Sequence, residues 1–316
     1  MVSGLSARDI GHRVVVRHRL PGGQLTDVLG VLQSIDSATL VVRHADSTLH
    51  PIRWEDVAAA KPIPPLPLRP VDVEQLFLTT ALGRPAVETS YVGQWLLRAS
   101  SGWTGRANSL LPAGDPGMSL SDALKHAEDF YAERGLPALA LVRLNSPEAN
   151  QLQEHGWKDA RPWQADVLVM HTSLDLVNGA PEYEVTVTPQ PDAAWYETAF
   201  DGPVPAPAPA VMEGAPHAAF ASVSLDRRVV AVGRGSMTGH WLGMDAVRVD
   251  PQYRRRGLAT AVLQGLTRWA GPLGGRRSYL EVVEDNTPAM TTYTNLGYAE
   301  AYRYRYLAGP GHQPES

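Results

Sequence analysis

The sequence predicts an α/β (α+β) protein, two related mixed-sheet halves preceded by a small all-β barrel. Three observations carry this. Short β-rich runs broken by frequent turns fill residues 10–60. From Val71 to Leu307, helical and strand patterns alternate. The second stretch also echoes the first: Ser146-Pro147 leads to Gly156-Trp157 with the same Pro-to-Gly separation by which Thr287-Pro288 leads to Gly297-Tyr298. Each pair sits between a buried strand and a final strand, so the halves read as a duplication.

Taken in order, Val14–His18, Asp27–Leu32, Thr39–His44 and Thr48–Ile52 are short strands, separated by Pro21-Gly22-Gly23 and Asp36-Ser37. The set resembles a Src-homology-3-like barrel, expected over residues 1–61. A Pro-rich connector follows at 62–70, stiff and extended. The first half is expected over 71–177: a helix at Val71–Ala81, strands at Gln94–Ala99 and Arg106–Leu111, and a helix opened by Ser119 and ended by Gly135. A buried strand at Ala138–Val142, a short helix at Ser146–His155 and a strand at Asp166–His171 complete it. The second half, 178–308, repeats the order. Tyr183–Thr188 is a strand, Asp192–Phe200 a helix, Gly202–Pro209 a Pro-rich loop, and Ala219–Ser224 with Val229–Gly235 a hairpin. Trp241–Val249 is a long strand, Arg255–Ala270 a helix, Arg277–Val283 a strand, Thr287–Asn295 a helix and Tyr298–Leu307 a strand. Residues 309–316 form a tail.

Of 316 residues, 44% are hydrophobic and 19% charged, a balance that permits a sizeable core. A net charge of −5 argues against a protein built to hold nucleic acid, which needs concentrated Lys and Arg. With 0 cysteines there are no disulfides, thiolate nucleophiles or Cys-held zinc. The N-terminus lacks the apolar core of a signal peptide, and no apolar run approaches the roughly 20 residues that span a bilayer. A soluble, cytoplasmic protein without membrane or nucleic-acid partners is expected, as a monomer or homodimer. The 10 histidines include no H-E-x-x-H pair, no P-loop or G-x-S-x-G elbow occurs, and no metal site is expected.

The chemistry concentrates in Val247–Thr260. A β-rich strand ends at Pro251 and a helix begins within Arg254-Arg255-Arg256-Gly257. The first amides of a helix lack internal partners and lie at the positive end of its dipole, a ready site for a pyrophosphate. Gly257 lets the backbone approach the phosphates, Leu258, Ala259 and Thr260 form the open first turn, and the arginines add charge. By composition alone, a basic surface helix start is an equal alternative.

These residues, Arg254-x-x-Gly257-x-Ala259 after Val247-x-Val249-x-Pro251, resemble the acetyl-CoA motif of the GNAT N-acetyltransferases. Downstream, Leu280-Glu281-Val282 through Asn286, Tyr293 and Gly297-Tyr298 resembles the second half of that family's core; the likeness covers roughly 182–307. It implies acetyl-CoA held by Val247, Arg248, Val249, Arg254, Arg255, Arg256, Gly257, Leu258, Ala259, Thr260 and Asn286. It further implies that strands carrying Val247 and Glu281 splay apart, with backbone groups of Val247 and Val249 bonding the pantetheine. Tyr293 matches the family's general acid. Glu281 is the candidate base, with Asp245 on the neighbouring strand its rival. Asn286 can also cap the helix at Thr287.

The first half has Leu111-Pro112-Ala113-Gly114-Asp115-Pro116-Gly117 where the phosphate loop would stand, and Leu152 in place of Tyr293. Asp115 opposes a pyrophosphate and the prolines remove donors. This half is therefore expected to form a wall of the acceptor cleft, with Trp103, Arg106 and Asn108 as candidate acceptor contacts; an ordinary hairpin with a half-buried Trp is the alternative. The whole chain is similar to tandem GNAT proteins of high-GC bacteria. The resemblance implies transfer to a primary amine in a ternary complex, with glutamate or a peptide N-terminus as candidate acceptors. A regulatory module that senses acyl-CoA, with vestigial transfer and a partner held by the barrel, is the competing reading.

Overall fold

The structure, a computed structural model, describes residues 4–44, 46, 48–63, 66–161, 165–177 and 179–310. Pro64 and Pro65 of the expected connector, and 311–316 of the tail, lie outside these. Residues near the N-terminus form one antiparallel sheet of five strands: β1 (Arg13–Arg19), β2 (Leu25–Ile35), β3 (Thr39–Arg43), β4 (Leu49–Arg53) and β5 (Val57–Pro62), in the order β4-β3-β2-β1-β5. Val14, Val16, Leu32, Leu40, Val42 and Ile52 alternate inward and make a core of its own. β5 pairs with β1, so the chain through Pro62 belongs to this sheet rather than to the connector.

α1 (Pro70–Gly83) starts with proline in its first turn, where no amide is needed. β6 (Glu88–Val92) and β7 (Trp95–Ala99) form a hairpin turning at Gly93-Gln94. The expected strand Arg106–Leu111 is largely absent: Gly105–Ala107 is a 3-10 turn, and bridges from Leu110 and Leu111 are what remains of it. Then come α2 (Leu120–Ala132), β8 (Leu139–Arg143), α3 (Pro147–Glu154), β9 (Lys158–Asp159), β10 (Val167–Ser173) and α4 (Leu174–Val177). The later part has β11 (Thr186–Thr188), α5 (Ala193–Ala199), α6 (Ala208–Glu213), β12 (Ala218–Leu225), β13 (Arg228–Thr238) and β14 (Trp241–Val249), then α7 (Leu258–Ala270), β15 (Arg277–Val283), α8 (Thr287–Asn295) and β16 (Ala299–Ala308). The Pro-rich loop expected at 202–209 ends earlier than predicted, because Pro207 and Pro209 preset the first turn of α6.

The echo between the halves has a structural counterpart. Leu110 bridges Ala140 in parallel as Met244 pairs with Leu280 in parallel, each time ahead of a helix with proline in its first turn. The halves are nevertheless interleaved. The large sheet runs β11-β12-β13-β14-β15-β10-β16-β8, so β10 lies between β15 and β16. Val169 pairs with Glu281 on one side and Tyr302 on the other. β16 then runs on to pair with β8 and β9. β10 suits this central position because Val167–Thr172 is buried throughout.

α7 packs on β12–β14, with Leu258, Val262 and Leu266 in a core shared with Leu168, Met170 and Leu280. On the opposite face, Trp195 of α5 and Met212 of α6 pack on Phe220 and Val232. Among the described residues no helix is long and apolar enough to cross a membrane.

Candidate active site

The site is built where two parallel strands part. β14 and β15 pair from Trp241↔Arg277 to Met244↔Leu280, and both then continue unpaired to one another, to Val249 and Val283. A bulge in β14 drives the separation. Ala246 takes φ 51°, and the β13 register shifts between Val232↔Arg248 and Arg234↔Asp245. Gly233 faces the bulge beneath α7; a Cβ there would stand 2.6 Å from Val262 Cγ1, so any side chain would force the Val262 side chain or the helix to shift.

Beyond Val249 the chain turns through Pro251–Tyr253 and enters α7 at Gly257. Gly257 is the N-cap at φ 78°, and it offers no side chain to the helix amides. Those of Leu258, Ala259 and Thr260 precede the first intrahelical bond, Ala261 N to Gly257 O, and point out of the helix. A cleft of about 880 Å³ opens here, lined by Val247, Arg248, Val249, Arg254, Arg255, Gly257, Leu258, Ala259, Thr260, Asn286 and Tyr293 among others. Of the predicted cofactor contacts, only Arg256 is not on this wall; its guanidinium lies over the Tyr253 ring, 5.3 Å from the centroid. Arg248 is ion-paired with Asp201. The Asn286 amide oxygen accepts from Ala289 N at 3.3 Å, so it caps α8 while also lining the cleft.

Tyr293 reaches the cleft from α8, half-buried, its ring 5.9 Å from Tyr298. Burial pushes its phenol up to about 12. A phenol is protonated at neutral pH even unshifted, and the shift carries that state further into the alkaline range.

Both predicted carboxylates are held by arginines that the sequence reading did not connect to them. Asp245 lies 2.8 Å from Arg84 and 2.8 Å from Arg234. Burial raises the Asp245 carboxyl, yet the two guanidinium groups outweigh it and hold it below the ordinary value of 3.8. Arg234, fully buried, also donates to Met212 O and to Gly83 O at the end of α1. Glu281 Oε2 accepts from Arg106 Nε at 2.6 Å and from the Tyr304 hydroxyl at 2.5 Å. A signal for Arg234 existed, since a charged residue at an inward phase of Val229–Gly235 demands a partner; Arg84 and Tyr304 had none.

The loop from the first half does reach this region. Arg106 touches Glu281, and Trp103 packs 5.8 Å from Phe200, against the hydrophobic cluster of Trp195, Met212, Phe220 and Val232. Asn108 is not brought there. It is buried, its oxygen accepts from Ser100 N and Gly102 N, and its amide donates to Thr104 O, so its polar atoms hold the loop together.

In the first half, the position of the cleft is only a narrow slot. Pro112, Ala113, Leu141–Arg143 and Ser146 line it together with Phe77 and Glu74 of α1, and it has no room for a water-sized occupant. Arg143 lies over the Phe77 ring, 5.4 Å from its centroid.

Residues 71–307 match the family model described as "Probable histone acetyltransferase Rv0428c C-terminal", which covers well over half of the chain. The chain belongs to this acetyltransferase family. Residues 8–61 match the companion model, "Rv0428c N-terminal Sm-like domain", in keeping with the small barrel-like module expected there. A relative named "Probable histone acetyltransferase Rv0428c", from Mycobacterium tuberculosis, is 28% identical over 312 residues, covering 94% of this chain and 95% of its own. A second, "Uncharacterized N-acetyltransferase YobR" of Bacillus subtilis, is 25% identical over 74% of this chain and 98% of its own. Among solved structures, a GCN5-related N-acetyltransferase from Kribbella flavida superposes with a TM-score of 0.59 at 18% identity, over 76% of this chain and 96% of that one. The family and these relatives make the chain an acetyltransferase of GNAT type.

Proposed function

We propose that the chain transfers the acetyl group of acetyl-CoA to a primary amine, by direct attack in a ternary complex, with residues 178–308 carrying the catalytic machinery and the first half forming a wall of the acceptor cleft. One observation carries the reading: the edge Val247–Val249, no longer paired to β15, lines the same cleft as the uncapped start of α7 and Tyr293. A long, bent ligand with a phosphate end and an amide-bearing arm fits that shape. The amides of Leu258–Thr260 and the side chains of Arg254 and Arg255 take the pyrophosphate. The free edge of Val247 and Val249 pairs with the arm as a borrowed strand.

The reacting end of the arm then lies between Tyr293 and Glu281. The amine nitrogen attacks the thioester carbon and the carbon–sulfur bond breaks. Tyr293 protonates the departing thiolate, and Glu281 receives the proton lost by the amine, directly or through a water. We assign the base to Glu281, which meets one guanidinium group, over Asp245, which meets two. The narrowness of the slot behind Pro112 supports one acetyl-CoA site per chain. The lack of cysteine fits a cytoplasmic setting, and we place the reaction there.

Tyr293→Phe tests the assignment. Turnover, followed as free thiol release, is expected to fall about 100-fold, at the lower end of what a positioned acid contributes. Acetyl-CoA affinity by calorimetry stays near the wild-type value. Equal loss of both removes the acid role, and tight binding without thiol release from any amine favours an acyl-CoA sensor.

A further inference from the structure

The walls around Glu281 hold more positive than negative charge. The guanidinium groups of Arg84, Arg98, Arg106 and Arg234 act there on two carboxylates, Asp245 and Glu281, in a protein whose net charge is −5. Arg84 and Arg234 share Asp245. Arg98 is 2% exposed and donates to the Ser109 carbonyl and hydroxyl, so among the described residues it bonds no carboxylate. Arg106 gives its Nε to Glu281 and Tyr304. Its two Nη atoms have no hydrogen-bond partner among the described residues, and the side chain is 25% exposed.

The charge of Arg106 already meets Glu281, but the N–H groups of its Nη edge are left without an acceptor, and a half-buried donor without one is costly. The edge presents two N–H groups in the fork that matches a carboxylate. It also stands beside Glu281, where the attacking amine must shed its proton. The same loop carries Trp103, whose ring packs 5.8 Å from that of Phe200.

We infer that the acceptor is a small amine that also carries a carboxylate, gripped by the Nη edge of Arg106 while its amino group meets Glu281. The inference rests on the acetyl-transfer reading above and narrows its acceptor. An α-amino acid has both groups; a protein lysine side chain brings a second cation to a wall that already has an excess. Acceptor choice then resides in the half that lacks the phosphate loop.

The full chain is assayed for thiol release with free α-amino acids, their α-amides, and a lysine peptide with blocked termini. The best acid is expected to exceed its amide at least tenfold in kcat/KM, mostly through KM. Arg106→Gln should erase that preference and Arg106→Lys should keep part of it, with acetyl-CoA affinity unchanged in both. Amides or the blocked peptide serving as well as acids overturns the inference, as does an acid preference that survives Arg106→Gln. If Arg106→Gln does not fold, as loss of acetyl-CoA binding reveals, the wild-type comparison and Arg106→Lys decide. Binding of acetyl-CoA without thiol release from any amine defeats the transfer reading itself, and this inference with it.

Discussion

Asp245 lies between Arg84 and Arg234, and its role follows from what its loss would leave behind. Replacing it with Asn strands two buried guanidinium groups, one of them fully enclosed. Breaking such a pair costs about 3–5 kcal/mol. The pH dependence has a definite sign. The folded-state pKa of Asp245 is depressed below 3.8, so its contribution is fully present above that value and is lost as pH falls through the folded pKa. Urea melts of Asp245→Asn should show the full deficit at neutral pH and convergence with wild type in strong acid; equal stability at neutral pH removes the claim. For Tyr293 the shift goes the other way. Its phenol, pushed up to about 12, stays protonated far into the alkaline range. The kcat profile should therefore show no alkaline fall between about pH 8 and pH 10, where an unshifted tyrosine acid would begin to fail. A fall there that Tyr293→Phe abolishes would overturn the burial argument.

At the scale of elements, the start of α7 is the part most open to test. Gly257 stands at φ 78°, and a Cβ there would meet only Glu182 Oε2, at 3.6 Å. Gly257→Ala should thus cost about 1–2 kcal/mol of backbone strain and retain binding. Gly257→Glu adds a carboxylate facing the phosphates and should abolish acetyl-CoA affinity in calorimetry while the melt matches Gly257→Ala. Tight binding by Gly257→Glu would remove the phosphate-loop assignment. This region was legible because local chemistry fixes it. β14, β15 and α8 occupy the residues their patterns predict, each bounded by Pro, Gly or an Asn cap. Elsewhere, local pattern failed where distant partners decide. β6 went unseen because Glu88-Thr89-Ser90-Tyr91 is polar and lies on an exposed edge. Arg106–Leu111 has strand-like composition, yet its start curls into a 3-10 turn where Arg106 meets Glu281. The bulge at Ala246 left no local mark, because what permits it is Gly233 on the neighbouring strand.

At the scale of the molecule, the duplication was readable and the interleaving was not. Pro-to-Gly spacing reports that two halves share an order of elements, but nothing near Val169 says that its neighbours are Glu281 and Tyr302. Strand order depends on which edges remain open after local hairpins and crossovers form, and that is non-local. The consequence is physical. Without β10, β15 and β16 both lose a neighbour from the middle of the sheet, and Leu168 and Met170 leave the core they share with Leu263 and Leu280. A fragment of residues 178–310 should therefore lack a cooperative urea transition and release no thiol, although it contains every predicted acetyl-CoA contact. A fragment of 66–310 keeps the whole large sheet, Arg84 and Arg106, and gives up a β module that has its own core. It should unfold cooperatively and retain acetyl-CoA affinity. If 178–310 instead folds and binds acetyl-CoA as tightly as the full chain, β10 is a passenger in that sheet, and the case for one interleaved catalytic body fails.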